Sequence, residues 1–244
     1  MGRRPLPSAA CATALAAGAF AAVALPAAAA PAKAPKVEQL VEFRSGSVVE
    51  KSVRASSTSV RVEGRRCAVA EATALASLLR ARPGNVGLAD YGSCTARPRD
   101  GGGLYVRSIR SDRAKGLSGW VYKVGRKLAT AGAADPAGPF GRGRLHARQR
   151  VTWFYCRLRQ GSCQRTLVVQ ARTDDADGPA VTVRGYDDDG RAVPVAGATV
   201  SAAGVKAETD SAGRATLELG PGTYRVRAEK EGTVSSFRER LTVP

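Results

Sequence analysis

The chain has 244 residues, of which 38 are Lys or Arg and 21 are Asp or Glu, for a formal net charge of +17. A charge this large attracts polyanions over a Debye length of about 10 Å at 0.1 M salt. The basic residues are dispersed along the chain without an Arg-rich arm, which argues against specific nucleic-acid binding. We therefore attribute the positive charge to solubility and to the Arg-rich codon usage of a high-GC bacterial genome. No stretch after the first thirty residues is long and apolar enough for a membrane span, which excludes a polytopic membrane protein.

Residues 1–30 are typical of a secretory signal peptide. Arg3 and Arg4 precede an apolar run that ends in proline and a string of alanines, and cleavage after Ala29 or Ala32 fits the small-residue rule. A transmembrane anchor would need about 20 apolar residues, and a lipoprotein cysteine would follow the apolar run, whereas Cys11 lies at its start. We therefore expect a secreted protein that is extracellular or loosely associated with the cell wall.

The mature chain begins with a flexible stretch and one helix-containing segment. Residues 31–56 start with PAKAPK, which predicts a tether, and continue into VEQLVEF, a possible first strand. Next, STSVRVEG alternates apolar and charged residues with the period of two that indicates a half-buried strand. The segment CAVAEATALASLLRARPGN carries apolar residues at helical spacing from Val69 onward and ends in Pro-Gly-Asn, which predicts one amphipathic helix.

Four further strands are predicted from clustered aromatic and β-branched residues. They are LYVRSI, GWVYKVGRK, RLHARQRVTWFYCRL and QRTLVVQA. A four- or five-stranded sheet with one helix packed on it is the simplest architecture for residues 57–170. The polar stretch that follows ends in Gly-Pro, so we place a linker at residues 171–178.

Residues 179–244 show a different pattern, with short strands separated by turns. The predicted strands are AVTVRGY, GATVSAA, VKAET, RATLEL, TYRVRAEK and FRERLTV. In the longest of them Tyr224, Val226 and Ala228 alternate with charged residues, so one face is apolar. This pattern predicts a β-sandwich. The expected fold class is therefore mainly β with one helix, in two domains.

Four cysteines remain after removal of the signal peptide. An even number in an exported chain suggests two disulfides, for which three pairings are open. We favour the local pairs, Cys67 with Cys94 and Cys156 with Cys163. Zinc is the alternative, but neither pair has the short two-residue ligand spacing and His146 is the only histidine. No metal site and no cofactor are expected.

The C-terminal segments AVPVAGATV, TDSAGRATLEL and GPGTYRVRAEKEG resemble those of carboxypeptidase-regulatory-like and related bacterial Ig-like domains, over about residues 179–244. Asp210 and Gly213 suit a tight turn, and Tyr224 supplies a large core side chain. The resemblance implies an Ig-like sandwich that serves as a spacer, a stability module or an adhesive stalk. It carries over no active site.

Residues 57–170 resemble the transcobalamin-like C-terminal domain of bacterial secreted proteins, a β-grasp-like module. The matching segments are SVRVEG, LYVRSI, GWVYKVGRK, AGAADPAG and VTWFY. The chain departs from the family pattern at Val124-Gly125, where members often have Asn-Gly, and at Arg148-Gln149-Arg150, where they have an acidic Gly-Asp. The resemblance implies a β-grasp-like fold and a corrinoid-type ligand.

Catalytic groups are not expected. His146 has no acidic partner nearby in sequence, and no Gly-x-Ser-x-Gly turn or equivalent is present, so a surface or strand-edge histidine is the better interpretation. The run from Asp187 to Gly190 could offer oxygens to calcium, but it lacks the ligand spacing of an EF-hand and suits a turn between strands.

Two aromatic pairs are the strongest candidates for a ligand surface, because alternate residues of a strand share a face. The candidate residues are Trp120, Tyr122, Trp153, Tyr155, Arg148 and Arg150. An open face of aromatic rings bordered by arginines would suit a sugar ring, a planar cofactor or an anionic polymer. We favour core positions for the aromatic residues, because a domain with so few of them needs them inside.

Two functions follow from these observations. The leading hypothesis is a secreted, non-enzymatic and monomeric binding or structural module that associates with anionic wall polymer or a protein partner. The alternative is a small-molecule carrier of the corrinoid type that uses the transcobalamin-like domain, although the helical partner domain of transcobalamin has no counterpart here. A concave pocket at the aromatic face would favour a small ligand, whereas a flat basic surface would favour a polymer.

Overall fold

The structure is a computed structural model that describes Gly2 and residues 33–97, 102–172 and 179–244. Apart from Gly2, the predicted signal peptide lies outside the described residues, as does most of the predicted linker. The described part of the chain is mainly β with one helix, as predicted. Within these ranges no helix has the length and apolar character that crossing a membrane requires.

In chain order the elements are β1 (Lys36–Glu42), β2 (Val48–Arg54), β3 (Thr58–Val62), β4 (Arg65–Val69), α1 (Ala74–Ala81), β5 (Val86–Asp90), β6 (Leu104–Ile109), β7 (Asp112–Arg113), β8 (Gly119–Val124), β9 (Lys127–Leu128), β10 (Arg150–Cys156), β11 (Thr166–Arg172), β12 (Ala180–Tyr186), β13 (Ala192–Pro194), β14 (Thr199–Ala202), β15 (Val205–Glu208), β16 (Arg214–Thr216), β17 (Gly222–Glu229) and β18 (Glu239–Val243).

A five-stranded sheet in the order β2-β1-β10-β8-β9 forms the middle of the N-terminal half. Its two central strands, β1 and β10, are parallel, and the other neighbours are antiparallel. The hairpin β3–β4 and the three-stranded sheet β5-β6-β7 lie beside it. The single helix was predicted, but the sheet has other members than expected. Of the strands predicted for residues 57–170, only GWVYKVGRK (β8) and VTWFY (β10) belong to it, whereas STSVRVEG, LYVRSI and QRTLVVQA lie in other sheets. Its remaining long strands, β1 and β2, lie in residues 31–56, where a tether and a possible first strand were expected.

Both faces of the central sheet are covered. On β10, Val151, Trp153 and Tyr155 belong to the large apolar cluster that also contains the helix. The alternate residues Phe154 and Cys156 belong to a second apolar cluster with residues of the C-terminal half. Because successive side chains of a strand point to opposite faces, one strand contributes to two cores.

The helix α1 is short and almost entirely buried. Thr73 caps its N-terminus, where the Thr73 hydroxyl oxygen accepts a hydrogen bond of 3.2 Å from the backbone N–H of Ala76. Arg82 ends it with a left-handed backbone at φ 49°, and a proline follows. The helix begins later than the apolar spacing suggested, because Cys67 and Val69 belong to β4, where they pair with β3.

The C-terminal half contains two sheets around a shared apolar cluster. One sheet has the order β11-β12-β13 with β16 also paired to β12, and the other has the order β15-β14-β17-β18. Val183, Val200 and Leu241 from these sheets are fully buried in the cluster. The short strands predicted for residues 179–244 are therefore present, with their apolar faces turned inward.

Contacts also join the two halves of the chain, which lie in one compact unit from Lys33 to Pro244. Strand β11, which the sequence analysis grouped with the first domain, pairs with β12 in the second sheet system. Phe154 packs in a common apolar cluster with Val234 and Phe237. Glu50 and Arg227 form an ion pair across the same junction, and Arg150 forms one with Glu239. The exact domain boundaries stay predictions.

Two disulfides are formed by the favoured local pairs. Cys67 and Cys94 connect β4 to the loop after β5, with Cα atoms 4.8 Å apart. Cys156 and Cys163 connect the end of β10 to the loop before β11, with Cα atoms 5.1 Å apart. The second bridge lies at the point where the chain passes from the central sheet to the C-terminal half, so it fixes that passage.

Candidate binding pocket

Strands β8 and β10 bring the four predicted aromatic residues together as two directly opposed pairs. Tyr122 lies opposite Trp153 and Trp120 opposite Tyr155. The rings of Tyr122 and Trp153 are stacked with centroids 5.0 Å apart, and those of Trp120 and Tyr155 are perpendicular at 6.1 Å. None of the four exceeds 6% exposure, so they are core residues as favoured.

Hydrogen bonds to backbone carbonyls hold three of these rings in place. The Trp120 indole N–H donates to the carbonyl of Asp112 at 2.8 Å, and the Tyr155 hydroxyl donates to that of Arg113 at 3.1 Å. The Tyr122 hydroxyl donates to the carbonyl of Ala131 at 3.0 Å. Burial and the nearby Asp135 carboxylate raise the pKa of Tyr122, so its hydroxyl remains a donor at neutral pH.

One side of this aromatic layer forms the floor of a cavity of about 310 Å³, here called the aromatic pocket. Its walls come from residues 102–106, 120–122, 128–129 and 131–133, together with Tyr91 and Trp153. The walls are mostly apolar side chains and the backbone of small residues. Pockets of about 300 to 1,000 Å³ with such walls bind small molecules in many proteins.

Two tyrosines form the outer part of the pocket. Tyr91 is 78% exposed and Tyr105 is 36% exposed, and their ring centroids are 6.4 Å apart. Partial burial and the neighbouring tyrosines raise the pKa of Tyr105, so its hydroxyl is protonated at neutral pH. The pocket therefore presents buried rings at its base and accessible rings near solvent.

Small residues leave the space that becomes the pocket. A Cβ atom on Gly132 would overlap the carbonyl oxygen of Gly102, so these two backbones pass each other too closely for any side chain. Ala129, Ala131 and Ala133 supply much of the adjacent wall. Gly102 and Gly103 and the start of the AGAADPAG segment form this wall. AGAADPAG was named above only as a segment of the family resemblance, and neither stretch was predicted to line a site.

The arginines do not border the aromatic rings as predicted. Arg150 lies three positions before Trp153 and therefore on the opposite face of β10. Its guanidinium forms ion pairs with Glu38, at 2.7 Å, and with Glu239. Arg148 lies in an exposed turn with φ 67°, and its backbone N–H donates to the carbonyl of Lys36 at 2.8 Å. The predicted long strand begins only at Arg150, because the turn precedes it.

The other candidate groups form turns. His146 is exposed, and its backbone N–H donates to the side-chain oxygen of Gln149 at 2.9 Å. Asp187 accepts from the backbone N–H of Arg191 at 2.8 Å and thereby closes the turn after β12. Hydrogen bonds from Arg191 lower the pKa of Asp187 below its ordinary value, despite the opposing effect of burial. In the described ranges no group of three or more His, Cys, Asp or Glu side chains is arranged to hold a metal ion.

Comparison of the chain with protein-family models, with curated proteins and with solved structures finds no match. The two family resemblances therefore stay predictions from the sequence.

Proposed function

We propose that this protein is an exported, non-enzymatic binding module whose N-terminal half holds a small, planar, largely apolar group in the aromatic pocket. The observation that carries the proposal is the cavity itself, which opens beside stacked, rigidly held rings. A concave pocket at the aromatic face favours a small ligand, whereas a flat basic surface would favour a polymer.

The size of the pocket limits its ligand. At about 30 Å³ for each water-sized group, the volume accommodates about ten non-hydrogen atoms. A single ring or a fused pair of rings, such as indole, fits this space, whereas a corrinoid is several times larger. The pocket therefore favours a small aromatic molecule or one aromatic group of a larger partner over the corrinoid-type cargo that the transcobalamin resemblance implies.

The chemistry of the walls supports binding. Tyr122 keeps its proton and is committed to the carbonyl of Ala131, and the remaining lining groups are mostly apolar. Apolar contact with aromatic residues gains free energy from surface removed from water and from ring stacking. Neutral planar ligands gain the most binding free energy from such walls, because a charged ligand would lose its hydration without meeting a group of opposite charge.

The fold supports the two family resemblances. A helix packed on a five-stranded sheet with a parallel central pair is the arrangement expected of a β-grasp-like module. Two antiparallel sheets around one apolar cluster are the arrangement expected of an Ig-like spacer. The two disulfides are compatible with an extracellular location, which agrees with the proposed export.

Titration of the purified protein with indole, followed by calorimetry, tests this function. We expect saturable one-to-one binding. Ala131→Leu places three more carbon atoms in the wall and should weaken indole binding at least about tenfold. The matched control is Ala147→Leu, at an exposed turn position, which should leave binding unchanged.

Two results would contradict the proposal. Equal affinity of the Ala131→Leu and wild-type proteins, with unchanged melting temperatures, would place indole elsewhere. Stoichiometric binding of cobalamin in the same assay would instead support the corrinoid carrier and would show that the pocket expands well beyond its present volume.

A further inference from the structure

We propose a second binding site, which holds phosphate groups of an extended anionic polymer in a cleft between β17–β18 and the β1–β2 hairpin. The cleft has a volume of about 530 Å³ and is here called the arginine cleft. Five basic and three acidic residues line it, together with Ser52. It shares no lining residue with the aromatic pocket, so the proposal is independent of the proposed function.

Three arginines of the hairpin β17–β18 line the cleft. Arg225 and Arg240 are directly opposed across the two strands, and Arg238 lies immediately before β18 and lines the same cleft. All three are exposed. Like charges directly opposite one another destabilise an antiparallel pair, so this face carries a repulsion that a bound anion would relieve.

Acidic groups within the cleft do not neutralise these three arginines. Glu38 and Glu239 are both ion-paired with Arg150. Glu50 is ion-paired with Arg227, whose side chain is only 9% exposed. Among the residues that the structure describes, none places a carboxylate within ion-pair distance of Arg225, Arg238 or Arg240.

The same ion pairs hold the cleft in a fixed shape. Arg150 links β1 to β18 through Glu38 and Glu239, and Arg227 links β17 to β2 through Glu50. The backbone N–H of Arg238 also donates to Glu50 at 3.3 Å. The guanidinium of Arg225 also donates to the carbonyl of Arg238 at 3.5 Å. The three exposed arginines therefore lie on a rigid support, which reduces the entropy that binding would cost.

Guanidinium groups recognise phosphate through paired N–H donors, and several of them along one hairpin suit a chain with repeated phosphates. Among the described residues that line the cleft none is aromatic, although proteins that bind single-stranded nucleic acid stack bases on aromatic rings. A flexible polymer of phosphates without bases is thus the better partner.

The test uses isothermal titration of the purified protein with sodium polyphosphate. The double variant Arg225→Gln/Arg240→Gln should weaken binding about tenfold. It should also reduce the steepness of log K against log salt by about 1.4 units, because two phosphate contacts are lost at about 0.7 unit each. The matched control is Arg61→Gln/Arg66→Gln, because Arg61 and Arg66 are also directly opposed on a hairpin, β3–β4, and carry the same charge. The control should change binding less than about twofold.

Three outcomes would overturn the proposal. Equal weakening by both double variants would show a non-specific effect of net charge. Orthophosphate binding as tight as that of polyphosphate would show a site for a single anion, because a polymer gains affinity from linked contacts. Tighter binding of an oligothymidylate than of polyphosphate, lost in the cleft variant, would identify nucleic acid as the partner instead.

Discussion

Lys123 is a fully buried lysine that connects the central sheet to the C-terminal half. Its side chain has 0% exposure, although it lies in a strand of alternating pattern. The ammonium group donates to the carbonyls of Tyr186 and Asp187, each at 2.9 Å, and lies 3.4 Å from the Asp188 carboxylate. Burial lowers the pKa of Lys123, while Asp188 opposes that effect. Lys123→Met keeps most of the side-chain volume and removes the charge.

The expected loss can be worked from these contacts. Each buried acceptor left without a partner costs about 1 kcal/mol or more, and the carbonyls of Tyr186 and Asp187 are two such acceptors. Asp188 loses its ion pair as well. Removing the buried charge also removes its desolvation cost, which offsets part of the lost free energy of unfolding. We therefore expect a net destabilisation of about 2 to 3 kcal/mol. For a chain of this size that corresponds to a melting temperature lower by about 5 to 10 °C.

Differential scanning calorimetry measures this loss directly. The matched control is Lys127→Met, an exposed lysine four positions along the chain, which should change the melting temperature by less than about 2 °C. Hydrogen exchange should also become faster in the turn from Asp187 to Arg191, because Lys123 no longer holds its carbonyls. A variant that melts at or above the wild-type temperature would refute the reasoning, since the desolvation cost of the ammonium would then outweigh its contacts.

Three further changes test other parts of the structure. Burial raises the pKa of the Glu42 carboxyl, so the folded state binds its proton more tightly than the unfolded state, and stability is lost as pH rises through the folded pKa. Glu42→Gln should therefore be more stable than wild type at about pH 7.5 but not at about pH 4, in urea titrations; an equal difference at both pH values would contradict this. Gly132→Ala should push the pocket wall away from Gly102 and lower the affinity for indole. It should also lower the free energy of unfolding by about 1 to 3 kcal/mol, measured by thermal melting. An unchanged indole affinity would show that this wall does not contact the ligand. Cys156→Ala/Cys163→Ala opens a short loop and should cost about 2.5 kcal/mol on the chain-entropy model, and a melting temperature equal to that of wild type would contradict it.

Local patterns made much of the fold predictable. The alternation in GWVYKVGRK and VTWFY corresponds to β8 and β10, and the local cysteine pairs correspond to the two disulfides. The period-two alternation of a strand also predicts the orientation of Arg150, because a residue three positions before Trp153 must face the other side of the strand. The same alternation separates Arg150 from the aromatic face.

Contacts between distant segments were not predictable from local patterns. The pairing of Glu38 with Arg150 in adjacent parallel strands joins residues 112 positions apart, and nothing in either segment specifies the partner. Lys123 reads as an exposed position of a half-buried strand, because its burial depends on the C-terminal half packing over it. The aromatic pocket likewise depends on two small-residue loops meeting, which only the Gly132–Gly102 approach makes possible.

Strand β10 relates the two proposed sites to each other. Trp153 lies on one face of the strand and forms part of the aromatic pocket, whereas Arg150 lies on the other and orders the acidic groups beside the arginine cleft. The alternation that gives this strand two buried faces thus also separates an apolar site from a cationic one. A neutral ring and a polyanion require opposite surroundings, and a single sheet buried on both sides allows one short chain to provide both.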